Sequence, residues 1–199
     1  MLVNKDEACL ILFNMQLELI PLLYNSYQLV HDSMWLVDLF ATHHLPIVLI
    51  QHKKLGNLIA TIQDTAIKAE ILEKQHFSIH NEPHIMDYLS SLNKKQLIFS
   101  GAESHICMLQ SAFNLRPLGY EIFFMSDAMS ARSSADNEAA KYRLSAQNYH
   151  LITKEMLFFE LIQHSELSHY LDLSLKFLDG RYIKHTGIST CLQKVVQTA

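Results

Sequence analysis

Five short apolar runs recur along the chain at residues 8–13, 47–51, 96–100, 121–126 and 150–153, each closed by turn residues and separated by helical patterns. The intervening segments are mostly too long for hairpins, so the runs predict parallel strands joined by helical crossovers. With 199 residues and 49% hydrophobic side chains, the chain can bury one sizeable core and is short for two. One domain over 1–178 is therefore expected.

The crossovers differ in regularity. The first, over about 26–44, sets Leu29, Val30, Leu36, Val37 and Phe40 on one side at helical spacing and ends before Pro46. The second is mixed over 57–73, makes an excursion over 74–82, and resumes as a short helix from Pro83 to about Leu92. Long irregular connections in compact domains tend to be functional. The helix after the third run starts near His105, with Ile106, Leu109 and Phe113 as its buried side, and ends around Pro117 and Gly119. The stretch "SSADNEAAKYRLSAQN" opens with a Ser-x-x-Asp start signal and closes at Asn148. Helical patterns follow over 154–164 and 166–178, the latter with Leu167, Tyr170, Leu171, Leu175 and Leu178 on one face. Residues 179–199 read as a tail that is either mobile or packed on a neighbouring subunit.

Several functions are disfavoured. A formal charge of −4 with scattered Lys and Arg offers no basic stripe for nucleic acid. The three cysteines, at 9, 107 and 191, match neither a disulfide framework nor a metal knuckle, which points to reduced thiols and a cytoplasmic setting. The N-terminal apolar run is too short for a membrane span. No Gly-rich phosphate loop or Gly-x-Gly-x-x-Gly pattern is present, so the nucleotide-binding version of this architecture is not supported.

In an open parallel sheet, ligands sit at the carboxyl ends of the strands. Three residues stand out on that ground: Asn14 after the first run, Lys74 in the second crossover and Cys107 after the third. Cys107 falls in the first turn of its helix, where free N–H groups and the helix dipole favour a thiolate, and a nearby Lys74 ammonium would act the same way. The residues alone leave two readings open, a nucleophile or a small buried hydrophobe.

Four segments in order, "LILFNMQ", "LEKQHFS", "GAESHICMLQSAFNL" and "SDAMSARSSADNEAAKYRLSAQNYHLITKEMLFFEL", resemble the isochorismatase-like cysteine hydrolases, in particular the branch of isochorismatase domain-containing proteins. The resemblance runs from about Ala8 to Leu161. It implies a three-layer α/β/α sandwich of Rossmann-like topology around a six-stranded, mostly parallel sheet, one strand more than the apolar runs supply. It also implies assembly as a homodimer or larger homo-oligomer. In that family an Asp, a Lys and a Cys open small amides through a thioester. Lys74 matches the Lys and Cys107 the nucleophile, and a non-proline cis peptide falls at Ala102–Glu103, where with the N–H of Cys107 it would form an oxyanion hole.

The departure is Asn14, where the family carries the Asp. A neutral amide cannot accept the thiol proton. The expected function is thus a cysteine hydrolase of a small amide or ester-like substrate, with weakened amide turnover. The alternative is an impaired relative serving as an oligomeric binding or scaffolding protein. A redox-responsive thiol is a third reading.

His105, His52, Gln16 and Phe77 are expected to line the substrate pocket. Glu103 would orient substrate, pair with Lys74 or hold a helix end. Asp127, Ser130 and Arg132 are read as structural, in capping and subunit contact. His76, His80 and His84 recur every fourth residue, but Pro83 opposes one continuous helix, so no metal and no cofactor are expected.

Overall fold

The computed structural model describes residues 1–163 and 167–178. Six strands form one sheet: β1 (Ala8–Phe13), β2 (Ile47–His52), β3 (Glu70–Lys74), β4 (Gln96–Ala102), β5 (Glu121–Ser130) and β6 (His150–Ile152). The helices are α1 (Ser26–Thr42), α2 (Ala60–Thr65), α3 (Pro83–Ser91), α4 (Leu109–Leu115), α5 (Ser134–Ala146), α6 (Lys154–Leu161) and α7 (Leu167–Phe177). The spatial order is β3-β2-β1-β4-β5-β6 and every pairing is parallel, so the sheet is wholly rather than mostly parallel.

All six residues of β1 are buried, because the strand is central and both its faces are covered. On one face Cys9, Ile11 and Phe13 join a cluster with Ile85 and Leu89 of α3, Leu109, Ala112 and Leu115 of α4, and Ala140 and Leu144 of α5. Leu10 and Leu12 alternate to the other face, where α1 lies against the sheet. Phe13, Phe99 and Phe124 meet edge to face, with ring centroids 4.9 and 5.5 Å apart across β1, β4 and β5.

The strand absent from the sequence reading is β3, "EILEK". It lies at the sheet edge beside β2, with Glu70, Ile71 and Glu73 exposed, so it presents charge instead of an apolar run. Strand β5 runs on past 126 to Ser130, with a register shift against β4 between Phe99 and Gly101. On the helix side of Cys107 the buried residues are Met108, Leu109, Ala112 and Leu115; Ile106 and Phe113 are only half-buried.

Met1–Glu160 forms one compact unit and carries the whole sheet. The chain beyond it divides off as a second unit, of which α7 is described, and the domain limit expected at 178 falls within it. In α7 Leu175 is exposed, against the expected apolar face, whereas Leu173 and Phe177 are buried. The proposed tail over 179–199 lies outside the described residues.

The order of connection reverses at β1. The chain runs outward through β2 and β3, returns to β4 on the other side, and proceeds to β5 and β6. The crevice at the carboxyl ends of β1 and β4 is the place such sheets reserve for ligands.

Candidate active site

Three chain segments meet in that crevice. Lys74 ends β3 and Cys107 follows β4, with β2 and β1 between them, yet Lys74 Nζ lies 3.2 Å from Cys107 Sγ. Their contact therefore runs over the carboxyl end of β1, where Asn14 stands. Lys74 is 0% exposed and Cys107 3%. The ammonium also donates to the carbonyl of His76 at 3.0 Å.

The turn carrying Cys107 is built by backbone constraints. Gly101 has φ +103°, and a Cβ there would lie 2.3 Å from the carbonyl oxygen of Phe13, so only glycine lets β4 approach β1 this closely. The Ala102–Glu103 peptide is cis, as the family resemblance implied. Ser104–Met108 then forms a π turn ahead of α4, with the N–H groups of Ile106 and Met108 both donating to the carbonyl of Glu103. Such turns recur at functional sites. Ser104 Oγ donates to Asn137 Oδ1 at 2.7 Å, and Asn137 Nδ2 donates to the Tyr24 hydroxyl at 3.0 Å, which ties the turn to α5.

Asn14 is 0% exposed with φ 52°, and its N–H donates to the carbonyl of Ile50 at 2.7 Å. Its side-chain Oδ1 and Nδ2 have no hydrogen-bond partner among the described residues. A buried polar group left so costs about 1–3 kcal/mol, which favours a ligand that satisfies it.

The other expected site residues divide. Gln16 spends its amide on backbone: Nε2 donates to the carbonyls of His52 and Gly56, and Oε1 accepts from the N–H of His52 at 2.6 Å. It clips the loop after β2 instead of presenting a free group. Glu103 pairs with Arg132, Nε to Oε1 2.7 Å, and not with Lys74. His105 is half-buried with Nδ1 unpartnered.

His52 Nδ1 accepts from the N–H of Lys54, so its Nε2 carries the proton and donates to the carbonyl of Gln75 at 3.1 Å. Burial, and then the Lys74 charge, hold its ring below the ordinary imidazole range. Both ring nitrogens of His52 are thus engaged by backbone groups, and the ring serves as a wall of the crevice. Phe77, 56% exposed, lines with His52, Lys54, His76, Asn81 and Gln110 a cavity of about 460 Å³ beside the Lys74–His76 contact. A larger cavity of about 540 Å³, lined by Leu45, Pro46, Ile47 and Tyr88, lies at the amino ends of the strands and holds none of these groups.

Sequence reasoning missed Glu82. This buried carboxylate accepts from the N–H groups of Gln75 and His76 at 2.7 and 2.8 Å and pairs with His76 Nδ1 at 2.9 Å, fixing the 75–82 excursion. His84 Nε2 instead lies 2.9 Å from the carbonyl of Glu73, so the three histidines do not converge. Asp127 accepts from the N–H of Lys154 at the start of α6, and Ser130 bonds Asn25, in keeping with structural roles.

The model of the isochorismatase domain matches residues 8–156. The chain is 25% identical over 173 residues to isochorismatase domain-containing protein 2 of Danio rerio, covering 86% of this chain and 87% of that one. Its fold is similar to the YcaC gene product of Escherichia coli, an octameric hydrolase of unknown specificity (TM-score 0.82, 19% identity, 96% and 97% coverage). It is also similar to the MAR1 ribonuclease of Caenorhabditis elegans (TM-score 0.81, 22% identity, 90% and 94% coverage).

Proposed function

The chain belongs to the isochorismatase family, and on that premise we propose that it is a cysteine hydrolase of small ester-like substrates with residual action on amides. The observation that carries this reading is the buried contact between Lys74 Nζ and Cys107 Sγ at 3.2 Å. The ammonium is the counter-ion of a Cys107 thiolate, which attacks the substrate carbonyl. The C–S bond forms, the oxyanion is received by backbone N–H groups of the 102–107 turn, and the bond to the leaving group breaks. Water then adds to the thioester carbonyl, the C–S bond breaks, and the acid leaves with Cys107 restored as its thiolate and the proton passed to solvent.

Asn14 decides which substrates succeed. It can neither accept the thiol proton nor return it to a departing amine. An activated ester expels a stable anion and needs no such proton, so esters should turn over where amides stall. The likeness to an octameric hydrolase supports a homo-oligomer.

The test compares wild type, Asn14→Asp and Cys107→Ala on an activated aryl ester and the matching primary amide. Wild type should cleave the ester, Asn14→Asp should raise amide turnover by about 100-fold or more, and Cys107→Ala should lose both. Turnover that survives Cys107→Ala would sink the reading. A second reading, a binding module without turnover, is favoured by Asn14 itself; silence of both wild type and Asn14→Asp toward the whole panel would select it.

A further inference from the structure

We propose that the ligand supplies the negative charge that position 14 does not, so that this site takes a small molecule bearing a carboxylate, bound by Lys74 and Asn14. The inference rests on reading Lys74 and Cys107 as the working pair, but not on turnover.

Lys74 is fully buried, and among the described residues its ammonium meets only the His76 carbonyl and the Cys107 sulfur. One of its three N–H donors is unused. Among the described residues no carboxylate is paired with it: Glu103 is held by Arg132, and Glu82 by Gln75 and His76. A buried charge without a partner is costly. A Cys107 thiolate meets the need, but once the sulfur carries a neutral substituent, no anion among the described residues is paired with Lys74.

The unpartnered Asn14 side chain stands at the end of the strand that the Lys74–Cys107 contact crosses. Its Nδ2 and the spare Lys74 N–H together provide two donors, which suits the two oxygens of a carboxylate. An isosteric primary amide has one acceptor oxygen, and its NH2 would face the ammonium. The adjoining cavity contributes Lys54 and has no carboxylate among its lining side chains.

Benzoate and benzamide are the probes, titrated calorimetrically at pH 7.5 into wild type, Cys107→Ala and Asn14→Asp/Cys107→Ala. With the competing sulfur removed, benzoate should bind Cys107→Ala about tenfold more tightly than wild type and about tenfold more tightly than benzamide. Benzamide should not distinguish wild type from Cys107→Ala. The added Asn14→Asp should abolish the preference for benzoate, because the protein then carries its own counter-ion. Wild-type protein blocked at Cys107 as the methyl disulfide repeats the measurement if Cys107→Ala does not fold. Equal affinity for benzoate and benzamide, or a benzoate preference unmoved by Asn14→Asp, overturns the proposal. Because the readout is binding and the deciding comparison is made in Cys107→Ala and its double variant, which lack the nucleophile, failure of hydrolysis leaves the proposal standing, and hydrolysis without a carboxylate preference removes the proposal alone.

Discussion

A few residues fix the site by excluding alternatives. Gly101 sits where a side chain would strike the Phe13 backbone, and its φ of +103° is one that other residues rarely adopt. Gly101→Ala should cost about 3 kcal/mol or more, combining the strained backbone with a clash that only movement of β1 relieves. Chemical denaturation would read it, and a loss under 1 kcal/mol would mean that the crevice is looser than described. The sequence showed a glycine breaking an apolar run but could not show what it approached. Cys107 was legible as a thiol past a strand end and Lys74 as a cation in the second crossover. Their pairing was expected through the family resemblance, since no periodicity could show a contact that spans two intervening strands. The two unsatisfied atoms of Asn14 were invisible as well, because lack of a partner is a property of the packed surroundings.

Among the elements, those with strong periodicity were readable and those held by side-chain bonds were not. Strand β1 and helix α5 fall where their patterns put them, and Ser133 accepts from the N–H of Asp136 at 3.1 Å as the Ser-x-x-Asp signal required. Ser133→Ala should therefore cost about 1 kcal/mol, readable as a lower midpoint of thermal unfolding. Strand β3 and the excursion after it lacked any periodic signal, for one is a charged edge and the other is organised around Glu82. Burial pushes the Glu82 carboxyl up, but the N–H groups of His76 and Gln75 and the His76 ring together hold it below its ordinary 4.5. The unfolded chain then binds the proton more readily, so this group's stabilisation is complete above about pH 4.5 and is lost as pH falls through the lower folded value. Glu82→Gln should flatten that acid limb in a series of melting curves. An unchanged limb would show that Glu82 does not couple the excursion to folding.

The whole molecule raises the question of what covers its surface. A parallel sheet covered by helices follows from the alternation of runs, because parallel strands demand crossovers, whereas the connection reversal at β1 is a fact of strand order that the alternation does not set. The level above that depends on outward-facing residues that the alternation does not constrain. From the end of β1 into the first turn of α1 the chain leaves Leu17, Leu22, Tyr24 and Tyr27 exposed, at 56, 59, 44 and 85%. Tyr24 also reaches inward to Asn137, the residue that anchors the nucleophile turn. Apolar side chains gathered in one short segment favour contact with another protein surface, and a second copy of this chain is the partner that the proposed homo-oligomer would seat there. Light scattering on the eluting protein should give a mass at least twice 22.9 kDa. Tyr27→Glu should lower that mass, since a charge brought into an apolar contact is left unpaired there. Tyr27 is 85% exposed and is not one of the crevice residues, so the variant should keep reactivity at Cys107 toward a thiol reagent while it loses subunits. A particle of unchanged mass would place the interface elsewhere, and a monomeric wild type would end the assembly argument altogether.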